Sequence, residues 1–146
     1  MDRTLVFIKP EHVDIADIVL DELDEIGRRL ITKKIINVPE DTIKRHYQPL
    51  EDRYYYNWLV DSLKNKTIVL AIYEGDDIVK KISEKVGPTD PATAPEDTIR
   101  GKYSDDSLET AKKERRGPAN VIHRSDSDEE AIREINVWSA YLGLET

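Results

Sequence analysis

The spacing of short apolar runs constrains this chain most. Thr67 to Tyr73 is β-branched and apolar and closes at Gly75, which makes it the clearest strand. Leu5-Val6-Phe7-Ile8 is a second run, short enough for a strand buried on both faces, and it ends in Lys9-Pro10. Leu30 to Val38, stopped by Pro39, and Asn120 to His123 supply two more. Between them the period lengthens. Ile15, Ile18, Val19, Leu23 and Ile26 recur at helical spacing up to Gly27. Further helices are expected from about Glu40 to His46-Tyr47, from Asp52 to Leu63 and from Asp76 to Val86. The order is strand, helix, strand, two helices, strand, helix, long loop, strand, helix. Stripped of additions it is βαββαβ, a ferredoxin-like α/β (α+β) arrangement with helices on one face of a four-stranded antiparallel sheet. Pattern alone leaves it one of several α/β options.

Length fits one compact domain over residues 1–146, for 146 residues can bury a single core. No apolar run approaches a membrane span, and the start carries no signal-peptide pattern, so a cytoplasmic protein without membrane partners is expected. Cysteine is absent, which excludes disulfides and thiolate metal sites. A net charge of -8 argues against coating a nucleic acid. An acidic chain that binds nucleotides must concentrate its positive charge in a pocket, and Lys9, Arg100 and Arg124 are the places to look.

The most informative stretch is Asn120-Val121-Ile122-His123-Arg124-Ser125-Asp126-Ser127 with the helix behind it. Ser127 and Glu130 form a capping-box pattern, and Ala131, Ile135, Trp138 and Leu142 make the buried stripe. Glu134 falls at the edge of that stripe, partly withdrawn from water, and needs a partner. His123 is the natural one. A carboxylate on one imidazole nitrogen fixes the tautomer and leaves the other nitrogen a free nucleophile. His12 fits a surface turn, and His46 fits packing or local bonding better than reaction. Tyr55 is equally compatible with plain core packing, and Lys9 with a solvated strand end.

These residues also carry a family resemblance. Asn120-x-x-His123-x-Ser125-Asp126-Ser127, with Glu134 eleven residues after the His and Trp138 four beyond that, resembles the active-site segment of nucleoside diphosphate kinases. The likeness runs on through Phe7-Ile8-Lys9-Pro10, His46-Tyr47, Gly87-x-Thr89-x-Pro91 and Thr98-Ile99-Arg100-Gly101. Five such motifs in the family's order make the ferredoxin-like fold the firm choice.

The resemblance implies a ping-pong transfer of the γ-phosphoryl of a nucleoside triphosphate through a phosphohistidine on His123. Mg²⁺ would be carried on the nucleotide phosphates, with no direct protein ligand. It implies that Lys9 and Tyr47 meet the transferred phosphoryl, with Lys9 also reaching a ribose hydroxyl. Tyr55 and Leu59 would hold the base, Thr89 and Arg100 the outer phosphates, and Asn120 the ribose. Ser125 would support Glu134, and Glu134 would orient His123. A homo-oligomer built from dimers, tetrameric or hexameric, belongs to the same expectation. Alternatives are a nucleotide-binding or scaffolding module of the same fold, and a protein phosphodonor.

Departures stand beside the matches. Ser83 occupies the place of a family arginine, which predicts weaker diphosphate binding. Arg124 follows the His where a small residue is common; it could add a phosphate contact or crowd the cleft. About ten residues are extra within roughly 102–118, where a mobile flap is expected, and Gly117 aligns nearest to the residue that covers the base.

Overall fold

The computed structural model describes residues 2–143; Met1 and the last three residues of the 1–146 span lie outside it. Four strands form one antiparallel sheet: β1 (Asp2–Ile8), β2 (Arg28–Ile35), β3 (Ile68–Gly75) and β4 (Ile122–Arg124), in the order β2-β3-β1-β4. This is the ferredoxin-like order, with β1 and β3 in the middle. Their continuous apolar runs follow from that position, since a central strand is covered on both faces. Leu5 to Ile8 and Leu70 to Tyr73 are all fully buried.

Seven helices surround the sheet: α1 (Ala16–Leu23), α2 (Glu40–His46), α3 (Tyr56–Leu63), α4 (Ile78–Val86), α5 (Ile99–Tyr103), α6 (Leu108–Lys113) and α7 (Asp128–Leu142). Strand alternation splits the core in two. Val6, Ile8, Ala71 and Tyr73 pack with Val19, Leu20, Ile82 and Val86 of α1 and α4. Leu5, Phe7, Leu70 and Ile72 pack with Ile43, Val60, Leu63 and Trp138 of α2, α3 and α7. The reduced pattern had helices on one face; the additional helices α2 and α3, with α7, cover the second. That second face carries the site.

Local boundaries differ from expectation where polar bonding outweighs pattern. α3 starts at Tyr56, four residues later than expected. Within the extra segment at about 102–118, α6 forms, capped by Ser107 accepting from the Thr110 N–H. Thr98 caps a helix the pattern did not reveal, α5, by accepting the Gly101 N–H. Gly101 has no room for a side chain, because an added Cβ would fall 2.0 Å from the Pro95 carbonyl oxygen.

Candidate active site

Phe7 and His123 are cross-strand partners on β1 and β4, and alternation turns both toward α7. Their rings stack with centroids 4.8 Å apart. His46, at the end of α2, meets His123 edge-on at 4.4 Å, and Tyr47 lies edge-on at 6.3 Å. The imidazole is therefore boxed on its faces by aromatic rings, which sets its plane.

Hydrogen bonds set its rotation. His123 Nε2 lies 2.7 Å from Glu134 Oε1, and Ser125 Oγ donates to the same oxygen at 2.9 Å. Glu134 is only 4% exposed, deeper than its place at the edge of the α7 stripe suggested. An oxygen that already accepts from Ser125 accepts again from Nε2–H, so the ring proton is on Nε2 and the lone pair on Nδ1. Nδ1 has no hydrogen-bond partner among the described residues, and the ring lines a cleft of about 840 Å³. Burial, with Lys9 and Arg100 nearby, pushes the His123 pKa down to about 3, while burial raises that of Glu134. The imidazole is neutral at pH 7, as a nucleophile must be.

The support extends behind the ring. Trp138 Nε1 donates to His46 Nδ1 at 2.9 Å, and Arg133 donates from Nη1 and Nη2 to the carbonyls of Arg45 and His46. α7 is thereby fastened to the end of α2. His46 bonds as expected, but to a residue 92 positions away. Burial holds it neutral, well below the ordinary histidine pKa.

The cationic end of the cleft holds Lys9, Arg100 and Arg124. Lys9 is 8% exposed and donates to the Pro118 carbonyl at 3.3 Å; burial, then Arg100, lower its pKa to about 7. Arg100 is bound to the backbone: Nε, Nη1 and Nη2 donate to the carbonyls of Asn120, Gly87 and Ile122. It ties the loop after α4 to the approach to β4, and burial, then Arg124, lower its pKa to about 9. Asn120 Nδ2 donates to the Thr89 carbonyl, whereas its buried Oδ1 has no partner among the described residues. Tyr47 is buried at the same end, and burial raises its pKa.

The other end is walled by Tyr54, Tyr55, Trp58 and Leu59, from α3 and the turn before it, facing Leu108, Ala111 and Lys112 of α6. Tyr54 packs edge-on against both Tyr55 and Trp58. The sequence pointed to Tyr55 and Leu59 but missed Trp58 and the α6 wall; Leu108 and Ala111, the segment's only apolar anchors, were the available signal. Gly117 sits against Leu59 and Ser62, with its N–H donating to Ser62 Oγ, so it forms floor and α6 forms the opposite wall. The expected flap is tied down: Asp106 receives both Nη groups of Arg116 and the Ala119 N–H, and the Leu108 N–H donates to Asp90.

Of the expected site residues, His123, Glu134, Lys9, Tyr47, Tyr55, Leu59, Thr89, Arg100 and Asn120 line this one cleft, and Ser125 lies directly behind Glu134. Ser83 does not reach it and lines a shallow depression with Lys80 and Asp126.

As for metals, His46, His123 and Glu134 offer ligand atoms within 4.8 Å of one another, the single such group among the described residues. They are already engaged with Trp138, with Ser125 and with each other. All three are thus committed within the protein, and none is held open toward an ion.

A half-buried neutral imidazole beside clustered cations, at one end of an aromatic-walled cleft on a ferredoxin-like sheet, defines a phosphotransferase-type site. Residues 2–141 match the family described as nucleoside diphosphate kinase. A nucleoside diphosphate kinase from Methanothermobacter thermautotrophicus is 33% identical over 140 residues, covering 94% of this chain and 87% of the relative. One from Synechocystis is 33% identical, with the same coverage. Among solved structures, the Borrelia burgdorferi nucleoside-diphosphate kinase, a transition-state mimic with bound vanadate and ADP, aligns with a TM-score of 0.90 at 26% identity, covering 99% of this chain and 91% of that one. An NDP kinase from Pyrobaculum aerophilum gives 0.87 at 27% identity, covering 99% of both chains. The chain belongs to the nucleoside diphosphate kinase family.

Proposed function

We propose that this chain moves the γ-phosphoryl group of a nucleoside triphosphate to a nucleoside diphosphate, with His123 as the covalent carrier. The observation that supports this most is the division of labour on one ring, Nε2 bound to Glu134 and Nδ1 open to the cleft.

In this mechanism the nucleotide lies with its base between Tyr55 with Leu59 and the α6 wall, and its phosphates toward Lys9, Thr89 and Arg100. The Nδ1 lone pair forms a bond to the γ-phosphorus. The bond from phosphorus to the β–γ bridging oxygen breaks, and the electron pair leaves with the nucleoside diphosphate. The phosphoimidazole gains positive character, which Glu134 stabilises through the Nε2–H bond without taking the proton. Ser125 keeps Glu134 in place. The second half reverses these steps with a new diphosphate as acceptor.

Lys9 and Tyr47 face the transferred group. The unpartnered Oδ1 of Asn120 is suited to accept from a ribose hydroxyl. The nucleotide phosphates would carry Mg²⁺, with no direct protein ligand, and the ion would supply neutralisation of part of their charge. An aromatic face can stack on any base, purine or pyrimidine, so acceptance of any base is part of this reading. We also assign the chain to a single domain with an added segment at about 102–118, to the cytoplasm, and to a homo-oligomer built from dimers.

The test is direct. The protein is incubated with γ-labelled ATP, checked for acid-labile label, and then given GDP. Label should move onto the protein and from there into GTP. A protein that takes up no label contradicts the proposal, and label that never leaves the protein favours a phosphodonor.

A further inference from the structure

We propose that Arg124 binds the nucleotide phosphates and supplies the free guanidinium of the site. This rests on the nucleotide kinase reading above. Along β4, His123 opposes Phe7 and Arg124 opposes Val6, so their side chains leave the strand on opposite faces. Both nevertheless line the cleft. β4 is an edge strand, so no further strand lies between the long Arg124 side chain and the cleft that it lines.

The hydrogen-bond inventory separates the three cations there. Arg100 has each guanidinium nitrogen on a backbone carbonyl, and Lys9 Nζ is on the Pro118 carbonyl. Among the described residues Arg124 makes one side-chain bond, from Nη1 to Asp126 Oδ1 at 3.0 Å, and its buried Nε has no partner there. A guanidinium has five N–H groups, so most of this fork is free. Its side chain is 14% exposed, whereas the Asp126 side chain is 86% exposed. A carboxylate so exposed is a weak partner, readily exchanged for a doubly charged phosphate.

Arg124 also lies close enough to Arg100 to disfavour that residue's charge. Two cations drawn together in a sheltered site are repelled unless an anion joins them. Ser83, on α4, is short and stays outside the cleft, so no side chain at that position shares this task.

The probe is ADP, measured by calorimetry alongside steady-state kinetics. R124A is expected to weaken ADP binding by roughly tenfold or more and to raise KM more than it lowers kcat. R124K should recover only part, because an ammonium lacks the planar fork. D126N removes the resting partner and should bind ADP as well as, or better than, the unmodified protein. Should R124A fold poorly, R124Q keeps the length and must show the same loss. ADP affinity within twofold of the unmodified protein in R124A or R124Q overturns the assignment, as does an equal loss in D126N. Failure of the unmodified protein to bind ADP overturns the kinase reading itself.

Discussion

Glu134 Oε1 and His123 Nε2 stand 2.7 Å apart, joined across eleven residues of chain by the packing of α7 against β1, the strand that pairs with β4. The bond takes up Nε2 and leaves Nδ1 to the cleft. It fixes which nitrogen can react before any ligand arrives. Glu134→Gln keeps the shape but removes the charge, and an amide can present its NH₂ to Nε2 and turn the tautomer over. Phosphorylation by ATP should slow by roughly tenfold or more. Quench-flow labelling of the variant checks this, and an unchanged rate would remove Glu134 from the account.

Acid should destabilise the protein through two sheltered imidazoles, His46 fully and His123 partly buried. His46 and His123 both have pKa values depressed below the ordinary 6.5 by burial. Below that value the unfolded chain takes up protons that the folded state refuses, so stability falls as pH drops from about 6.5 toward the folded pKa values. His123 itself stays neutral through this range, so its capacity to accept phosphoryl should not titrate near 6.5. Denaturant melts at pH 7.5 and 5.5 read the first effect, and initial rates of labelling over the same range read the second.

Nucleotide binding should take up a proton near neutral pH. Lys9, with its pKa lowered to about 7, is only partly charged when the cleft is empty. A phosphate placed beside its Nζ favours the ammonium and raises that pKa. Calorimetry of ADP binding at pH 7.5 in buffers of different ionisation enthalpy gives the proton count, which should be positive and should vanish in Lys9→Met.

How much of this was legible beforehand varies by residue. Strands carrying long β-branched runs could be read, as could α7, whose Ser127 caps by accepting the Glu130 N–H. The link from His123 to Glu134 was legible because both residues lie on adjoining elements with a simple period. β4 begins two residues later than expected and ends one later: Val121 looks like strand but adopts a left-handed φ of 75°, and its carbonyl accepts from the Lys9 N–H. Positive φ at a β-branched residue carries no compositional signal. The partners of Arg100 were hidden for a related reason, since backbone carbonyls are the same at every position. The α6 wall stayed unread because two apolar residues are too few to set a period.

The clamp over the cleft should be worth measuring on its own. Arg116 holds the Asp106 carboxyl well below the usual carboxylate range, and the Asp106 side chain is 8% exposed. Asp106→Ala leaves the Ala119 N–H and the guanidinium without their acceptor, at a cost of about 1–3 kcal/mol. Thermal melting should show that loss, and KM for nucleotides should rise as α6 loosens from α3. The contribution of Asp106 is present above its unfolded pKa and disappears as pH falls through the carboxylate range and below.

The central claim is that one named nitrogen carries the phosphoryl group, and ³¹P NMR of the protein labelled by ATP tests it most directly. Phosphate on Nδ1 and on Nε2 of histidine give distinct resonances, and the signal should report Nδ1 in the native protein and be absent in His123→Ala. A phosphorus signal assigned to Nε2, or one that persists in His123→Ala, would contradict it.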